Sequence, residues 1–226
     1  SIRGRALPPL EHLICPECIA SLSPVRQPVC MRCGKEVTGS RMEYCPDCMR
    51  HPRSFDGGAA LFHYNEAARR SMAAIKYKNR REYLDFYSQA LVSRYGKWLS
   101  HIQPDALVPV PVHPARRRKR GFNQAEELAE RISLLTGIPV RADLLIRIRK
   151  TLPQKELNPA ERLNNLRLAF AVSDFYKAHL EQIPRRVVLA DDIYTTGSTM
   201  EACTRVLKAA GVKQVYIMSI CIGKGR

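Results

Sequence analysis

The feature that most constrains this chain is residues 187–200, where a short apolar run meets two acids and a loop rich in hydroxyl groups. Residues 187–190 are continuously apolar, which is typical of a strand buried on both faces of a parallel sheet. Apolar residues then recur at helical spacing over residues 200–210, and Gly211 ends the predicted helix. The pattern therefore predicts a strand, an acidic edge, a loop and a helix, in that order.

The segment between this strand and helix has the composition of a phosphate site. Two acids, Asp191 and Asp192, come first. A cradle at the helix N-terminus follows, formed by Thr195, Thr196, Gly197, Ser198 and Thr199. Hydroxyl groups and the free N–H groups of a helix N-terminus bind phosphate, and a glycine lets the anion approach closely. Any side chain larger than hydrogen, such as valine in place of this glycine, is expected to block the anion while leaving the fold intact.

The two acids restrict the ligand further. Both carboxylates cannot face the phosphate without repulsion, so they suit hydroxyl groups or a hydrated cation. A ligand with a phosphate at one end and hydroxyls at the other, such as a ribose 5-phosphate, meets both requirements. The alternative is that Thr195, Ser198 and Thr199 only cap the helix and that the acids are solvated.

A second informative stretch follows another predicted strand. Residues 106–111 predict a strand end and a stiff turn, because each of its two prolines fixes its own φ. Five consecutive cations come next: Arg116, Arg117, Arg118, Lys119 and Arg120. Asn123 then caps a helix, with Glu126 three residues on, and Asn65 is likewise expected to cap an earlier helix. Cations ahead of a helix N-terminus attract a diphosphate or a nucleic-acid backbone, whereas a solvated basic loop is the alternative.

The net charge of +16 is concentrated in one part of the 226 residues. Residues 1–56 carry 8 Lys and Arg against 6 Asp and Glu, which leaves 29 against 15 for the remainder. This excess favours a polyanionic partner, such as nucleic acid or a phosphorylated ligand, over a general role in solubility. No apolar run approaches membrane-spanning length or forms the core of a signal peptide, so a cytoplasmic location is expected.

Cysteine spacing predicts a metal site near the N-terminus. Six of the eight cysteines form three C-x-x-C pairs: Cys15 with Cys18, Cys30 with Cys33, and Cys45 with Cys48. In a reducing compartment such pairs chelate metal, usually zinc, more often than they form disulfides. The second and third pairs, with a glycine at position 34 to allow the turn, are expected to complete one tetrahedral zinc site. Cys203 and Cys221 lie in apolar patterns and are expected in the core.

Three pairs cannot be divided evenly among four-ligand sites. Cys15 and Cys18 are therefore further candidate ligands whose partners lie upstream, or else a free dithiol. The chain begins with Ser1 rather than Met, so a longer natural N-terminus stays open. A redox role is the weaker alternative, because no thioredoxin-like strand and helix surround the pair.

Residues 187–200 resemble the phosphoribosyl diphosphate signature of type I phosphoribosyltransferases, D-D-x-x-T-T-G-S-T. Two further motifs, R-x-x-x-R-G-F-N-Q at 116–124 and Q-x-x-L-N-x-x-x-R at 154–162, are similar to those of the ComF branch. The resemblance implies an α/β fold, with a parallel sheet covered by helices on both faces and a small N-terminal zinc ribbon. Alternating strands and helices independently favour this sheet. The predicted domains are a ribbon at 1–56 and a phosphoribosyltransferase-like domain at 57–226, with a hinge at 56–58.

The resemblance also implies residue roles. In such proteins the hydroxyl-rich loop binds the 5-phosphate, the paired acids, here Asp191 and Asp192, contact the ribose and serve catalysis, and Mg²⁺ accompanies the diphosphate. The basic run at 116–120 corresponds to the region that meets the diphosphate, and Lys76 matches a basic position of ComF proteins. Residues 141–170, with a helix start at Asn158, correspond to a mobile hood over the site. ComF proteins often begin with a double zinc ribbon of four cysteine pairs, which favours a missing partner pair for the first pair here.

Two function hypotheses follow from the resemblance. In the first, the protein handles single-stranded DNA during natural transformation, together with other DNA-uptake proteins, and binds phosphoribosyl diphosphate as a ligand. In the second, it is an active phosphoribosyltransferase. The sequence identifies no acceptor substrate for that reaction, so the first hypothesis is preferred.

Overall fold

The fold is built around a parallel sheet, seen in a computed structural model that describes residues 13–39, 42–148 and 169–223. In chain order the strands are β1 (Gly57–His63), β2 (Ala106–Pro109), β3 (Leu145–Arg147), β4 (Phe170–Val172), β5 (Arg186–Tyr194) and β6 (Gln214–Ile222). The main sheet has the order β1-β6-β5-β2, and its neighbouring strands all pair in parallel. Strands β3 and β4 form a separate antiparallel pair.

Helices cover both faces of the sheet. The α-helices of the described residues are α1 (Pro16–Ser21), α2 (Pro46–Arg50), α3 (Glu66–Lys78), α4 (Tyr83–Ile102), α5 (Pro114–Arg120), α6 (Gln124–Thr136), α7 (Asp174–Ala178) and α8 (Ser198–Ala209). One face packs against α3, α4 and α6, and the other against α8 and the N-terminal cysteine region. The predicted α/β architecture with an N-terminal zinc ribbon is confirmed.

Strand β5 lies at the centre of this arrangement, as its apolar run predicts. Val187, Val188, Leu189 and Ala190 are completely buried, and they alternate between the two core clusters. A strand paired on both edges and covered on both faces requires this continuous apolarity. The acids that follow therefore emerge at the carboxyl end of a buried central strand, where open α/β sheets bind their ligands.

Two helix starts predicted from asparagine caps are confirmed. The side chain of Asn65 accepts a hydrogen bond from the N–H of Ala68 at the start of α3, and that of Asn123 accepts from the N–H of Ala125 at the start of α6. Each cap satisfies a donor that the helix itself leaves free. The cap of α6 fixes the position of Gln124, which becomes important at the site.

The hinge predicted at residues 56–58 is wrong. Gly57 and Gly58 begin strand β1 and pair with β6. A Cβ atom at Gly58 would lie 2.7 Å from the side chain of Ile217 and 3.0 Å from the carbonyl oxygen of Arg32. These glycines therefore serve close packing of the cysteine region against the sheet, a role that their type alone does not distinguish from flexibility.

The basic run lies just ahead of a helix N-terminus, as predicted, because α5 comes directly before α6. Arg116 to Arg120 belong to the short helix α5, which ends at Gly121 in the left-handed conformation, and not to the solvated loop that was the alternative. Cations in the last turn of a helix are stabilised by its dipole. The predicted hood helix at Asn158 lies outside the described residues. Among the residues that the structure describes, no helix is both long and apolar enough to cross a membrane.

Candidate functional site

Residues 195–199, called the phosphate loop after their predicted role, connect β5 to the first turn of α8. Gly197 is the N-cap of α8, with φ of 76° and ψ of 0°. The hydroxyl oxygens of Thr196 and Ser198 lie 3.0 Å apart, with Thr196 exposed and Ser198 half-buried. Free N–H groups of a helix N-terminus and two accessible hydroxyls therefore occupy the same place, which is the arrangement of an anion site.

The prediction that the fold tolerates a larger side chain at Gly197 is wrong. A Cβ atom there would lie 2.2 Å from the hydroxyl oxygen of Tyr194, and the positive φ already disfavours any side chain. Tyr194 is 4% exposed and cannot move away freely. The glycine is needed for the loop's own packing as well as for the approach of an anion, so its replacement does not test ligand binding alone.

The two acids occupy different environments at the end of β5. The side chain of Asp192 is 5% exposed, and its Oδ2 faces the ammonium group of Lys76 from α3. Its Oδ1 accepts a hydrogen bond of 3.0 Å from Nε2 of Gln124. Asp191 is half-buried, and its Oδ1 accepts from the backbone N–H of Asp192 at 2.8 Å. Asp192 is thus already compensated by protein groups, whereas Asp191 receives one backbone donor from the described part of the chain.

The pKa values of the acids move in opposite directions. Burial raises the pKa of Asp191 well above its ordinary value, and the neighbouring Asp192 charge adds to this. Burial alone would also raise the pKa of Asp192, but the Lys76 ammonium and the Gln124 amide more than offset it and lower the pKa. Asp192 is therefore the carboxylate whose charge the protein stabilises, and a bound cation or hydroxyl donor would favour the charged form of Asp191.

Sequence reasoning underrates Lys76 and Gln124. Taken as bare sequence, Lys76 is an ordinary solvated lysine, and only its match to ComF proteins marked it. Its side chain is 18% exposed and lies against the buried carboxylate of Asp192. A lysine is rarely buried to this extent without such an anionic partner. Gln124 stands at the end of the R-G-F-N-Q motif, directly after a helix cap. This position is the sequence feature that could identify it as a site residue.

The basic run lies near the acids and is connected to them. Arg120 donates a hydrogen bond to Oε1 of Gln124, whose amide nitrogen holds Asp192. The Arg120 guanidinium also lies 5.8 Å from the ring centroid of Tyr77. Arg116, Arg118 and Lys119 are exposed on α5. One end of the run thus belongs to the acid network, and the remainder faces solvent.

A cavity of about 580 Å³ adjoins the basic run. Arg117, Arg118 and Arg147 line it, together with residues that follow β2 and with part of β3. Burial, and then the charge of Arg116, lower the pKa of Arg147. A half-buried arginine facing other cations is stabilised by an added anion, so the cavity suits a phosphorylated or otherwise acidic group.

The metal site predicted from cysteine spacing is present in geometry. The Sγ atoms of Cys30, Cys33, Cys45 and Cys48 all lie within 4.8 Å of one another, and all four residues are buried. Gly34 has φ of 75° and donates its N–H to the carbonyl oxygen of Cys30 at 2.8 Å, which closes the first knuckle. Four converging thiol groups form the ligand set of a structural zinc site.

The first cysteine pair is not part of this site. Cys15 and Cys18 are exposed, and Cys15 is the N-cap of α1, where its sulfur accepts from the N–H of Cys18 at 3.4 Å. Within residues 13–39, 42–148 and 169–223, the other four are the metal-ligand cluster that is found. A ligand role for the first pair stays a prediction. Cys203 and Cys221 are fully buried in the core, as expected.

Comparison with known proteins agrees with both parts of the chain. The family described as "double zinc ribbon domain" matches residues 5–49, and the family described as "phosphoribosyl transferase domain" matches residues 102–226. The first family supports a structural zinc at the four-cysteine cluster. The second spans β5, the acids, the phosphate loop and the basic run.

Individual relatives are similar along most of their length. Competence protein F of Haemophilus influenzae is 27% identical over 91% of this chain and 95% of its own. Competence protein ComFC of Streptococcus pneumoniae is 29% identical over 93% and 88%, and DNA utilization protein YhgH of Escherichia coli is 26% identical over 85% and 83%. The chain therefore belongs to the phosphoribosyl transferase domain family, with a double zinc ribbon ahead of that domain, and is similar to competence proteins of the ComF type.

Proposed function

We propose that this protein binds phosphoribosyl diphosphate together with Mg²⁺, and handles single-stranded DNA during DNA uptake in the cytoplasm. The observation that carries the ligand part is the meeting of an anion-binding helix N-terminus, at residues 197–199, with the half-buried Asp191 at the end of the same strand. A ligand with a phosphate and ribose hydroxyls has groups for both.

The residues present fit the two ends of this ligand. The 5-phosphate is placed at the N-terminus of α8, where Thr196 and Ser198 offer hydroxyl donors besides the backbone N–H groups. The ribose hydroxyls are placed at Asp191, since the Asp192 carboxylate already faces Lys76 and Gln124. Carboxylate and hydroxyl oxygens are ligands that suit Mg²⁺, which would hold the diphosphate and neutralise it. The cations beside the cavity near α5 would meet the same diphosphate.

The DNA part rests on the exposed cations of α5 and on what the relatives are called. Arg116, Arg118 and Lys119 present positive charge to solvent and form no ion pair with an acid of the described residues. Such side chains contact the phosphates of a flexible single strand regardless of its sequence. The similarity to competence and DNA utilization proteins favours DNA as the polyanion, and DNA-uptake proteins as further partners.

A second candidate function is phosphoribosyl transfer itself. The cavity of about 580 Å³ beside Arg117, Arg118 and Arg147 favours it, because a transferase needs space next to the ribose site. The protein groups would then hold the leaving diphosphate and stabilise charge that develops at C1 of the ribose. The described residues point to no acceptor base or amine, so this candidate remains second.

Calorimetric titration with phosphoribosyl diphosphate and Mg²⁺ tests the proposal. Because replacing Gly197 disturbs the loop, the informative variant is Thr196→Ala with Ser198→Ala, which removes two hydroxyls and keeps the backbone. Its affinity should fall at least about tenfold. A matched control replaces Ser93 and Ser100, which are exposed on α4, and should bind as the unmodified protein does.

Asp191→Asn tests the two ends of the ligand separately. It should weaken the binding of phosphoribosyl diphosphate and leave the binding of inorganic phosphate unchanged, because only the ribose and cation contacts are lost. Single-stranded DNA should bind this variant normally if DNA uses the exposed cations. A folded protein that binds no phosphoribosyl diphosphate would refute the ligand part, and one that binds no single-stranded DNA would refute the DNA part.

A further inference from the structure

Residues 53–55 connect the zinc ribbon to the phosphate loop. On the ribbon side, Nη1 of Arg32 donates to the carbonyl oxygen of Phe55 at 2.6 Å. The Phe55 side chain is completely buried, in the same apolar cluster as the four cysteine ligands. Its ring meets that of Tyr194 edge to face, with centroids 6.4 Å apart. Phe55 therefore belongs to the apolar cluster that contains the four cysteines, and its ring contacts the last residue of β5.

Arg53 reaches the phosphate loop itself. Its Nη2 donates to the carbonyl oxygen of Thr196 at 2.7 Å, across 143 positions of sequence. In a trans peptide the carbonyl and the following N–H point in opposite directions. By holding the Thr196 carbonyl on its own side, Arg53 turns the N–H of Gly197 to the other side. The contact thus fixes the orientation of one donor at the N-terminus of α8.

Ser54 holds the first turn of α8. Its N–H and its hydroxyl donate to the two carboxylate oxygens of Glu201, at 2.8 and 2.7 Å. Glu201 is 1% exposed and also accepts from Nε of Arg205 at 2.6 Å. These contacts satisfy a buried carboxylate close to the end of a helix that is proposed to receive an anion. The donors of Ser54 and Arg205 stabilise the negative charge of Glu201. Without them, this carboxylate would repel a phosphate more strongly.

The ribbon itself is pressed against the sheet. A Cβ atom on Gly34 would lie 2.8 Å from the carbonyl oxygen of Gly58, so the first knuckle touches the start of β1. Asp56 accepts from the N–H of Val215 at 2.8 Å, which ties the end of the segment to β6. Residues 53–55 therefore lie between the ribbon, which packs against β1, and Asp56, which is bonded to β6.

We propose that Arg53, Ser54 and Phe55 are positioning residues that hold residues 195–199 in the anion-binding conformation, so that metal ligation by the four cysteines strengthens ribose phosphate binding. The ligand in this statement rests on the proposed function. The mechanical connection between ribbon and loop does not, because Arg53, Phe55 and Glu201 make these contacts with other groups of the protein itself.

The first test measures the loop without ligand in the full chain. Backbone ¹⁵N order parameters at Gly197 and Ser198 should fall from about 0.85 toward 0.6 or below in Arg53→Ala. Arg53→Lys, which keeps one donor, should lie between. Arg69→Ala, which removes an exposed arginine paired with Glu66 on α3, is the matched control and should leave both values unchanged. Zinc content should stay the same in all variants.

The second test removes the metal. Treatment with a chelator should lower the same order parameters while the amides of Val188 and Leu189 in β5 stay protected from exchange. Affinity for phosphoribosyl diphosphate, titrated with Mg²⁺ after the chelator has been removed, should fall about tenfold both in the zinc-depleted protein and in Arg53→Ala. Unchanged order parameters in Arg53→Ala and after chelation would overturn the coupling. Failure of the unmodified protein to bind phosphoribosyl diphosphate would overturn the ligand assignment instead, with the order parameters still deciding the coupling.

Discussion

Two charged regions at the same end of the sheet are built in opposite ways. The acids and the phosphate loop receive contacts from distant segments, through Lys76, Gln124 and Arg53, and Asp192 is almost completely buried. The cations of α5 are exposed, and Arg116 to Lys119 have few protein partners in the described residues. Fixed, buried groups suit a small ligand of one shape, whereas exposed flexible cations suit a polymer of variable conformation. Changes in the first region should therefore affect stability and binding together, and changes in the second should affect binding alone.

Loss of the metal should have the largest effect, because it removes the support behind the fixed region. Zinc ligation contributes on the order of 10 kcal/mol to the folding of isolated zinc peptides at neutral pH. Chelation, or Cys30→Ser with Cys45→Ser, should unfold the ribbon while the main sheet keeps its own melting transition. Metal analysis should find one zinc in the unmodified chain. A stoichiometry well below one, or unchanged zinc in the double variant, would contradict the assignment.

Lys76→Met should be the most destabilising change within the main domain. It leaves the Asp192 carboxylate, 5% exposed, without its cation, and breaking a buried pair in this way costs about 3–5 kcal/mol. Urea denaturation of the zinc-loaded protein measures it. Adding Asp192→Asn should recover much of the loss, because the uncompensated charge is then gone. The matched change on α5, Lys119→Met, should alter stability by less than about 0.5 kcal/mol. Equal effects of the two lysine variants would abolish the distinction between the regions.

Glu201→Gln should show a smaller effect that depends on pH. Burial alone would raise the pKa of Glu201, but the Ser54 N–H and hydroxyl and the Arg205 guanidinium more than offset it and lower the pKa. The ionised form is therefore favoured by folding, and its stabilisation is present above the unfolded pKa of about 4.3 and is lost as the pH falls through the folded value.

The stability difference between the unmodified protein and Glu201→Gln should thus be about 1–3 kcal/mol at pH 7 and should shrink below about pH 4. Denaturation of both proteins at each pH measures this stability difference. Protonation of the cysteines affects both proteins equally and therefore cancels from the difference. A difference that stays constant over the whole range would show that the carboxylate charge contributes nothing to the contact.

The same comparison explains which parts of the site could be predicted from sequence. Local features were accessible: the apolar run at 187–190 gave the central strand, and Asn65 and Asn123 gave the starts of their helices, because strand burial and helix caps depend on neighbouring residues. Contacts between distant segments were not. No local pattern distinguishes Lys76 from a solvated lysine, or Arg53 and Ser54 from linker residues, since their partners lie more than a hundred positions away. The packing role of the glycines at 57 and 58 is hidden from the local sequence for the same reason, because the ribbon residues that contact them are distant in the chain.

The smallest effect on stability, and the clearest effect on DNA alone, should come from Arg116→Ala, Arg118→Ala and Lys119→Ala combined. Among the described residues these exposed cations have no ion-pair partner, so the melting temperature and the affinity for a simple phosphate should stay unchanged. Each cation that meets a phosphate of a single strand adds about 0.7 to the slope of log affinity against log salt. The triple variant should therefore make that slope shallower, reducing its magnitude by about 2.

The matched control replaces Arg69, Arg80 and Lys177, three exposed cations on other parts of the surface that are each paired with an acid. It removes the same total charge, so it changes long-range attraction equally but removes no contact from α5. The slope should then stay close to that of the unmodified protein. If the control lowers the slope as much as the α5 variant does, single-stranded DNA is held by the overall charge rather than by α5. If neither variant changes the slope, the nucleic acid binds elsewhere, and the exposed cations of α5 do not have the DNA-binding role proposed for them.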